Sequence, residues 1–202
     1  AASFMNDAQV TALAQQDHLR LDLTASLSNE LIQLNHQRSP TDDPKVCEAL
    51  AYSFPYDEVI ANTWLGKGTQ AHGAVPVAVW GHDPDAPAVH YDPAKARALL
   101  AEAGYADGLE LTFTFDTQQR VTAELWQAAL AEIGVTLKLE ESEWMIRWEN
   151  ARSDPANAPE AYMISWLPDV VRPYTYLYNL FHSQEPTSFN LGFYSDPAFD
   201  AL

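Results

Sequence analysis

Apolar and polar positions follow two rhythms along this chain, and the rhythms mark out its elements. Leu19, Leu21 and Leu23 alternate with Arg20, Asp22 and Thr24, a period of two that predicts a half-buried strand. Upstream, Asn6 is placed to cap a short helix reaching about residue 16. A polar break follows, then a second strand over 30–37. Pro40, Asp42, Asp43 and Pro44 form a turn that opens a helix, with Pro44 at its first position. That helix runs to about residue 54, where Pro55 breaks it, and a short one covers 56–64. Residues 65–90 carry Gly66, Gly68, Gly73, Pro76, Gly81, Pro84 and Pro87. They predict a long irregular segment, functional or packed as a surface cover.

The second half is more regular. Asp92 caps a helix with Pro93 at its first position; Ala96, Leu99, Leu100 and Ala103 share one face, and Gly104 ends it. Leu109, Leu111, Phe113 and Phe115 alternate with polar residues as a strand. Thr117 is placed to cap a helix with Val121, Leu125, Ala129 and Ile133 at i, i+4 spacing, closed by Gly134. Val135, Leu137 and Leu139 alternate as the next strand. A helix over 143–152 sets Trp144 and Trp148 one turn apart, a spacing read as core packing. Residues 161–166 are nearly all apolar and read as a buried strand. The order strand, helix, strand, helix, strand predicts an α/β fold. Its expected form is a mixed open sheet with a β-α-β-α-β parallel core, the three strands parallel and nearly adjacent. The last strand, apolar on both faces, should lie centrally; the strands at 109 and 135, with polar alternates, should lie nearer an edge or under a partly open face.

Composition narrows the functional classes. The chain has 202 residues, 47% of them hydrophobic, enough to fold as one large domain or two small ones. Eleven basic residues against 28 acidic ones give a formal charge of −17. Such a field repels phosphate backbones and anionic membranes, so nucleic-acid binding is disfavoured and cationic partners are favoured. No apolar run approaches the roughly 18 residues of a membrane helix. The N-terminus has no basic leader with an apolar core, and the chain does not begin with Met. It reads as a processed or excised piece, so the missing leader says nothing about export. The single cysteine, Cys47, has no partner for an internal disulfide and reads as a half-buried small hydrophobe.

Candidate chemistry concentrates at Trp166 and Asp169. In open α/β sheets, ligands bind beyond the carboxyl ends of the strands. An aromatic platform followed three residues later by a carboxylate suits a ligand with an apolar body and a cationic end. The same residues also fit a buried Trp closing a core and an Asp serving as a cap. An enzyme reading rests on the carboxylates Glu140, Glu141 and Glu143 and on Asp42 and Asp43, which as clusters could act as acid and base in a hydrolase. Both clusters fall at element ends, where acids are expected beside helix dipoles. No nucleophile or metalloprotease signature accompanies them. Gly66-Lys67-Gly68-Thr69 lacks phosphate-loop spacing, and His82 and His90 lack zinc-motif spacing. No cofactor, metal site or catalytic residue is expected.

Three ordered blocks carry a resemblance. Leu34-Asn35 through Pro40, Asp43, Val46, Ala49-Leu50 and Tyr52 is similar to a pattern F-N-x-x-x-x-P-F-x-D-x-R-V-R-x-A-L-x-Y. Tyr91-Asp92-Pro93 through Leu99-Leu100 and Gly104-Tyr105 is similar to Y-D-P-x-x-A-K-x-L-L-x-x-A-G-Y. Trp166 through Asp169 and Pro173 follows W-x-x-D-x-x-D/E-P, with an aromatic helix, an Asn-containing turn at Asn190 and Tyr194 after it. Together these resemble the family 5 extracytoplasmic solute-binding proteins of ABC importers, the peptide and nickel type.

The resemblance implies a periplasmic-binding-protein-like lobe. Residues 1–27 would be a connecting segment from a missing first lobe, and 28–202 the continuous second lobe of a receptor that closes like a hinged clam. It implies a non-catalytic role: binding peptide, or another small solute such as a nickel chelate, sugar or opine. Delivery would be to a membrane ABC permease, in the periplasm or outside the cell, with the full-length protein membrane-associated. Asp169 would receive a peptide's α-ammonium group, Trp166 would pack on the ligand, and backbone groups of Ser165 and Leu167 would pair with it. Arg172 stands where the family carries an acid. It would pair with Asp169, point to solvent, or accept an anionic ligand group. The family's V-R-x-A is here Val46-Cys47-Glu48-Ala49, so Cys47 stands where the family carries an Arg. An excised lobe without independent activity fits the same sequence.

Overall fold

The computed structural model describes residues 7–22 and 24–202. In chain order its elements are α1 (Asp7–Ala14), β1 (Asn29–Leu34), α2 (Pro44–Tyr52), α3 (Tyr56–Asn62), α4 (Pro93–Glu102) and β2 (Leu109–Phe115). They continue with α5 (Arg120–Glu132), β3 (Val135–Glu141), α6 (Trp144–Ser153), β4 (Ala161–Trp166), α7 (Pro173–Phe181) and the short α8 (Pro197–Asp200). The sheet has four strands in the order β1-β4-β2-β3. Strands β2, β3 and β4 are parallel, and β1 joins β4 antiparallel, Asn29 opposite Trp166. This is the mixed α/β sheet with a β-α-β-α-β parallel core.

The two faces of β4 explain its interior place. Ala161 and Met163 enter a core with Leu111, Phe113, Phe115, Trp126, Leu130, Val135 and Leu137, roofed by α2, α4 and α5. Tyr162, Ile164 and Trp166 enter a second core on the opposite face, with Ala151 of α6 and Tyr176 and Leu180 of α7. A strand buried on both faces needs apolar residues at every position but its tip, and only Ser165 of β4 is exposed. Where β2 starts beside the loop before β3, a side chain is excluded. A Cβ on Gly108 (φ +101°) would lie 2.4 Å from the carbonyl oxygen of Gly134.

Several expectations are corrected. Residues 19–22 form no strand; Leu19 and Leu21 are 47% and 46% exposed. Alternation alone does not make a strand without a neighbour to pair with and a face to bury. Leu23 and Asn6 lie outside the described residues. Strand β1 stops at Leu34 rather than 37 because Asn35, fully buried, turns its side-chain amide onto the carbonyl of Pro155 (2.8 Å). Helix α2 stops at Tyr52, short of 54. The cap before α5 is Asp116, not Thr117: its carboxylate accepts from Gln118 N, and Gln119 reaches back to Asp116 N. The buried stripe of α5 is Thr122, Ala123, Trp126, Ala129 and Leu130, while Val121 is 45% exposed. An i, i+4 row drifts around the helix; the i, i+3, i+4 pattern keeps to one face. Finally, β2 is interior and only β3 of that pair is an edge.

The pairing of β4 with β2 is short, only Phe113 with Ala161 and Thr114 with Tyr162. A side chain extends it. Glu160, 8% exposed at its side chain, accepts the backbone N–H of Thr112 (2.9 Å) and pairs with Arg38 Nε (2.9 Å). Its own carbonyl takes the N–H of Asn35 (2.9 Å). One residue thus ties the start of β4 to β2 and to the segment after β1. Glu160→Ala should destabilise the fold by about 1–3 kcal/mol, the cost of leaving buried donors unpaired. Glu160→Gln, which keeps one acceptor, should cost less. Urea unfolding measures both. A loss below about 0.5 kcal/mol for alanine, the level of an ordinary surface change, would contradict this role.

Candidate functional site

Strand β4 ends at Trp166, buried Pro168 follows, and the chain turns through 169–172 into α7, which Pro173 opens. Thr175 locks this turn: its hydroxyl donates to the carbonyls of Val170 (2.6 Å) and Arg172 (2.8 Å). A cavity of about 390 Å³ opens there, at the carboxyl end of β4. Residues Ser165 to Val170 supply most of its lining; Thr175 and Asn179 of α7, Trp144 at the start of α6 and Phe189 complete it. Four of the five residues singled out from sequence therefore meet in one cavity: Ser165, Trp166, Leu167 and Asp169.

Arg172 is not among the lining residues. It is exposed at the N-cap of α7 and forms no ion pair with Asp169 among the described residues. Of the three roles open to it in sequence, pairing with Asp169 is not the one the structure displays. The Asp169 carboxylate is exposed and makes no hydrogen bond or ion pair among the described residues, so it is not a helix cap either. Among the described residues it is also the only ionisable side chain lining the cavity. An unshared negative charge in a concavity lined by no cation attracts a cationic group and repels an anion.

The aromatic wall is fixed by packing. Trp166 is 7% exposed, and its ring centroid lies 4.6 Å from that of Phe189. Its indole N–H is covered and unpaired, so the ring offers the cavity apolar surface rather than a donor. Trp148 packs on Phe189 from 5.8 Å and donates its N–H to the carbonyl of Ser188 (2.7 Å). The sequence expectation of core packing holds for Trp148, whereas Trp144 also reaches the cavity. Thr175, Asn179 and Phe189 were missed. The first two stand four residues apart on α7, a spacing that puts both on one face, and that was the available signal. Phe189 arrives through a long-range turn and left none.

Ser165 divides its groups between two sides. Its hydroxyl donates to Glu30 Oε1 of β1 (2.8 Å). The Asn35–Glu160 bond sets the antiparallel alternation so that Tyr162, Ile164 and Trp166 direct their backbone groups to β1. Met163 and Ser165 direct theirs to the other side, where β2 pairs no farther than Tyr162. A second cavity, about 540 Å³ and mostly apolar, runs beside β1, with Glu30, Phe181, Tyr194 and Phe199 in its walls.

Burial lifts the Glu30 carboxyl above its ordinary value of 4.5; Asp116 adds to the rise, and hydrogen bonds from Ser165 and Gln119 hold it back. A raised acid binds its proton more tightly when folded. Its contribution therefore favours folding at low pH and falls as pH climbs from the ordinary value through the raised one, then levels off. The stability of Glu30→Gln relative to the parent should rise over that mildly acidic range and become constant above it. Chemical unfolding across pH measures the difference; a flat or falling difference would contradict the burial of this carboxyl. The carboxylates of the hydrolase reading, a set that does not include Glu30, are occupied in part: Glu141 pairs with Arg120, and Asp43 caps α2.

Comparison with known proteins places this geometry. A family model described as bacterial extracellular solute-binding proteins, family 5 middle, matches residues 1–188. The dipeptide-binding protein of Escherichia coli K12 is 30% identical over 176 residues, 76% of this chain and 33% of that protein. The glutathione-binding protein GsiB of Salmonella typhimurium is 32% identical over 201 residues, 96% of this chain and 39% of that one. Among solved structures, the periplasmic binding protein DppA of Helicobacter pylori, in complex with the peptide STSA, superposes with a TM-score of 0.87 at 27% identity. It covers 97% of this chain and 38% of its own. The chain thus spans well under half the length of these relatives. Among the described residues, no helix is long and apolar enough to cross a membrane.

Proposed function

The chain belongs to the family 5 bacterial extracellular solute-binding proteins, and on that footing we propose that it is the ligand-reading lobe of a peptide receptor serving an ABC importer. Residues 28–202 are the lobe and 1–27 the segment leading into it from a first lobe. The receptor works outside the cytoplasmic membrane and hands its ligand to the membrane permease. It carries out no reaction: it holds the ligand, encloses it and releases it.

One observation carries this reading. Among the described residues, Asp169 is a carboxylate without a protein partner, in a concavity lined by no other ionisable group. The α-ammonium of a peptide is the complementary group, and it binds through charge-assisted hydrogen bonds. Closure of a second lobe strengthens the pair by excluding water. The Trp166 ring and the Leu167 side chain pack along the ligand, and the free backbone edge at Ser165 takes the first peptide group as a neighbouring strand would. Arg172, exposed at the rim, faces solvent in this lobe. The dipeptide-binding relative and the peptide-bound DppA structure support a peptide as ligand.

In the complete receptor, Asp169→Asn should weaken a free-amine dipeptide by about 2–5 kcal/mol, as expected for a truncated buried charge pair. It should leave an N-acetylated dipeptide nearly unchanged. Calorimetry with both ligands tests this; equal losses would mean that Asp169 shapes the turn instead of reading the amine. The 202-residue chain alone should bind far more weakly. Without a second lobe the ion pair stays wet and contributes only about 0–1 kcal/mol, against several kcal/mol of lost translational and rotational freedom. Its dissociation constant should be on the order of millimolar or weaker. Micromolar binding by the isolated chain would show that this lobe carries the whole site.

A further inference from the structure

We infer that Phe189, held in place by a knot built around Asn190, selects which side chain the ligand carries next to its ammonium group. The inference rests on the proposed reading of Asp169. Both residues line the same 390 Å³ cavity. In a primary amine ligand, the substituent on the carbon bearing the nitrogen is necessarily the group nearest the ammonium. With the ammonium at Asp169, the first side chain of a peptide occupies the same cavity, against the wall that Phe189 forms.

The knot makes that wall rigid. Asn190 is 2% exposed. Its side-chain amide donates to the carbonyls of His182 (3.1 Å) and Tyr194 (2.7 Å), and its side-chain oxygen accepts the N–H of Tyr194 (3.1 Å). Its backbone carbonyl accepts the N–H of Phe193, a non-glycine residue at φ +50°. The next two residues are bolted to β1. Leu191 N–H donates to Gln33 Oε1 (2.8 Å), and Gly192 lies so close that a Cβ would sit 2.7 Å from the Leu34 carbonyl oxygen. On the other side, Gln184 Oε1 accepts the N–H groups of Ser188 and Phe189. Phe189 therefore has anchors on both sides, and its ring is pressed onto Trp166 and Trp148. A side chain with a fixed backbone and fixed neighbours excludes volume sharply, which is the requirement for discriminating ligands by size.

Asn190 acts here as a positioning residue, through Phe189. The test uses the complete receptor and a set of dipeptides differing only in the first residue, from alanine to tryptophan, each also N-acetylated. Phe189→Ala should shift the ratio of dissociation constants toward large first residues by about tenfold or more, the scale of a few methylene-sized changes in a pocket. Asn190→Ser should move the ratio the same way by a smaller factor. Leu130→Ala, in the core on the opposite face of the sheet, serves as the control for lost stability and should leave the ratio unchanged. An unchanged ratio in Phe189→Ala would overturn the inference. A changed ratio there, with an unchanged one in Asn190→Ser, would overturn the positioning role. The acetylated series separates this from the ammonium reading. If acetylation costs the parent receptor nothing, the reading of Asp169 fails, whatever the ratio does.

Discussion

The buried carboxylate of Glu160 extends a strand pairing that the backbone alone leaves short. Parallel strands β2 and β4 are paired over only two positions, too few to seat a strand that must carry the site at its far end. Glu160 supplies an acceptor to Thr112 N–H, a counter-charge to Arg38, and, through its backbone, a partner for Asn35. The Arg38 side chain in turn donates to the carbonyl of Ala158. A carboxylate in an apolar setting is costly unless its oxygens are filled. Here one oxygen takes the backbone donor and the other the guanidinium, and the cost is offset by the order imposed on three chain segments.

From that seat the rest follows by geometry. With its start clamped, β4 runs between two cores and delivers Trp166 and the 167–170 turn to the carboxyl edge of the sheet. Thr175 and Pro173 then fix how the chain enters α7. The arrangement separates two jobs. Apolar contacts from Trp144, Trp166 and Phe189 shape the cavity, and a single carboxylate supplies its charge. No cation lines the cavity among the described residues, and Lys45, Lys95 and Lys138 pair with Glu102, Glu48 and Glu110 on exposed surfaces. The Asp169 charge is left without a protein partner among the described residues.

Much of this was legible before any coordinates. Strands β2, β3 and β4, the cap at Asp92 and Pro44 in the first turn of α2 rest on short-range signals: alternation, a capping acid, proline at a first turn, glycine at an end. The W-x-x-D block placed four site residues because they are consecutive or nearly so. What was illegible depends on contacts across the chain. The Leu19–Leu21 alternation looks like a strand locally, and only the absence of a sheet neighbour denies it. The interior place of β2 follows from β4 inserting on its far side. Phe189 reaches the cavity because Gln33, Leu34 and His182, remote in sequence or around a turn, hold the loop that carries it. Trp144 and Trp148 share a spacing and differ in role, since one stands at the helix start and faces the opening.

The most direct test is to see where a ligand touches this chain. Amide chemical shifts of the 202-residue protein, followed by NMR during titration with a free-amine dipeptide at millimolar concentration, report each backbone position separately. Shifts should be confined to residues 165–170, 175–179 and 188–190, and should be much smaller with the N-acetylated dipeptide. Shifts gathered along β1 and the groove beside it, or equal responses to both ligands, would contradict a site built on Asp169 at the end of β4.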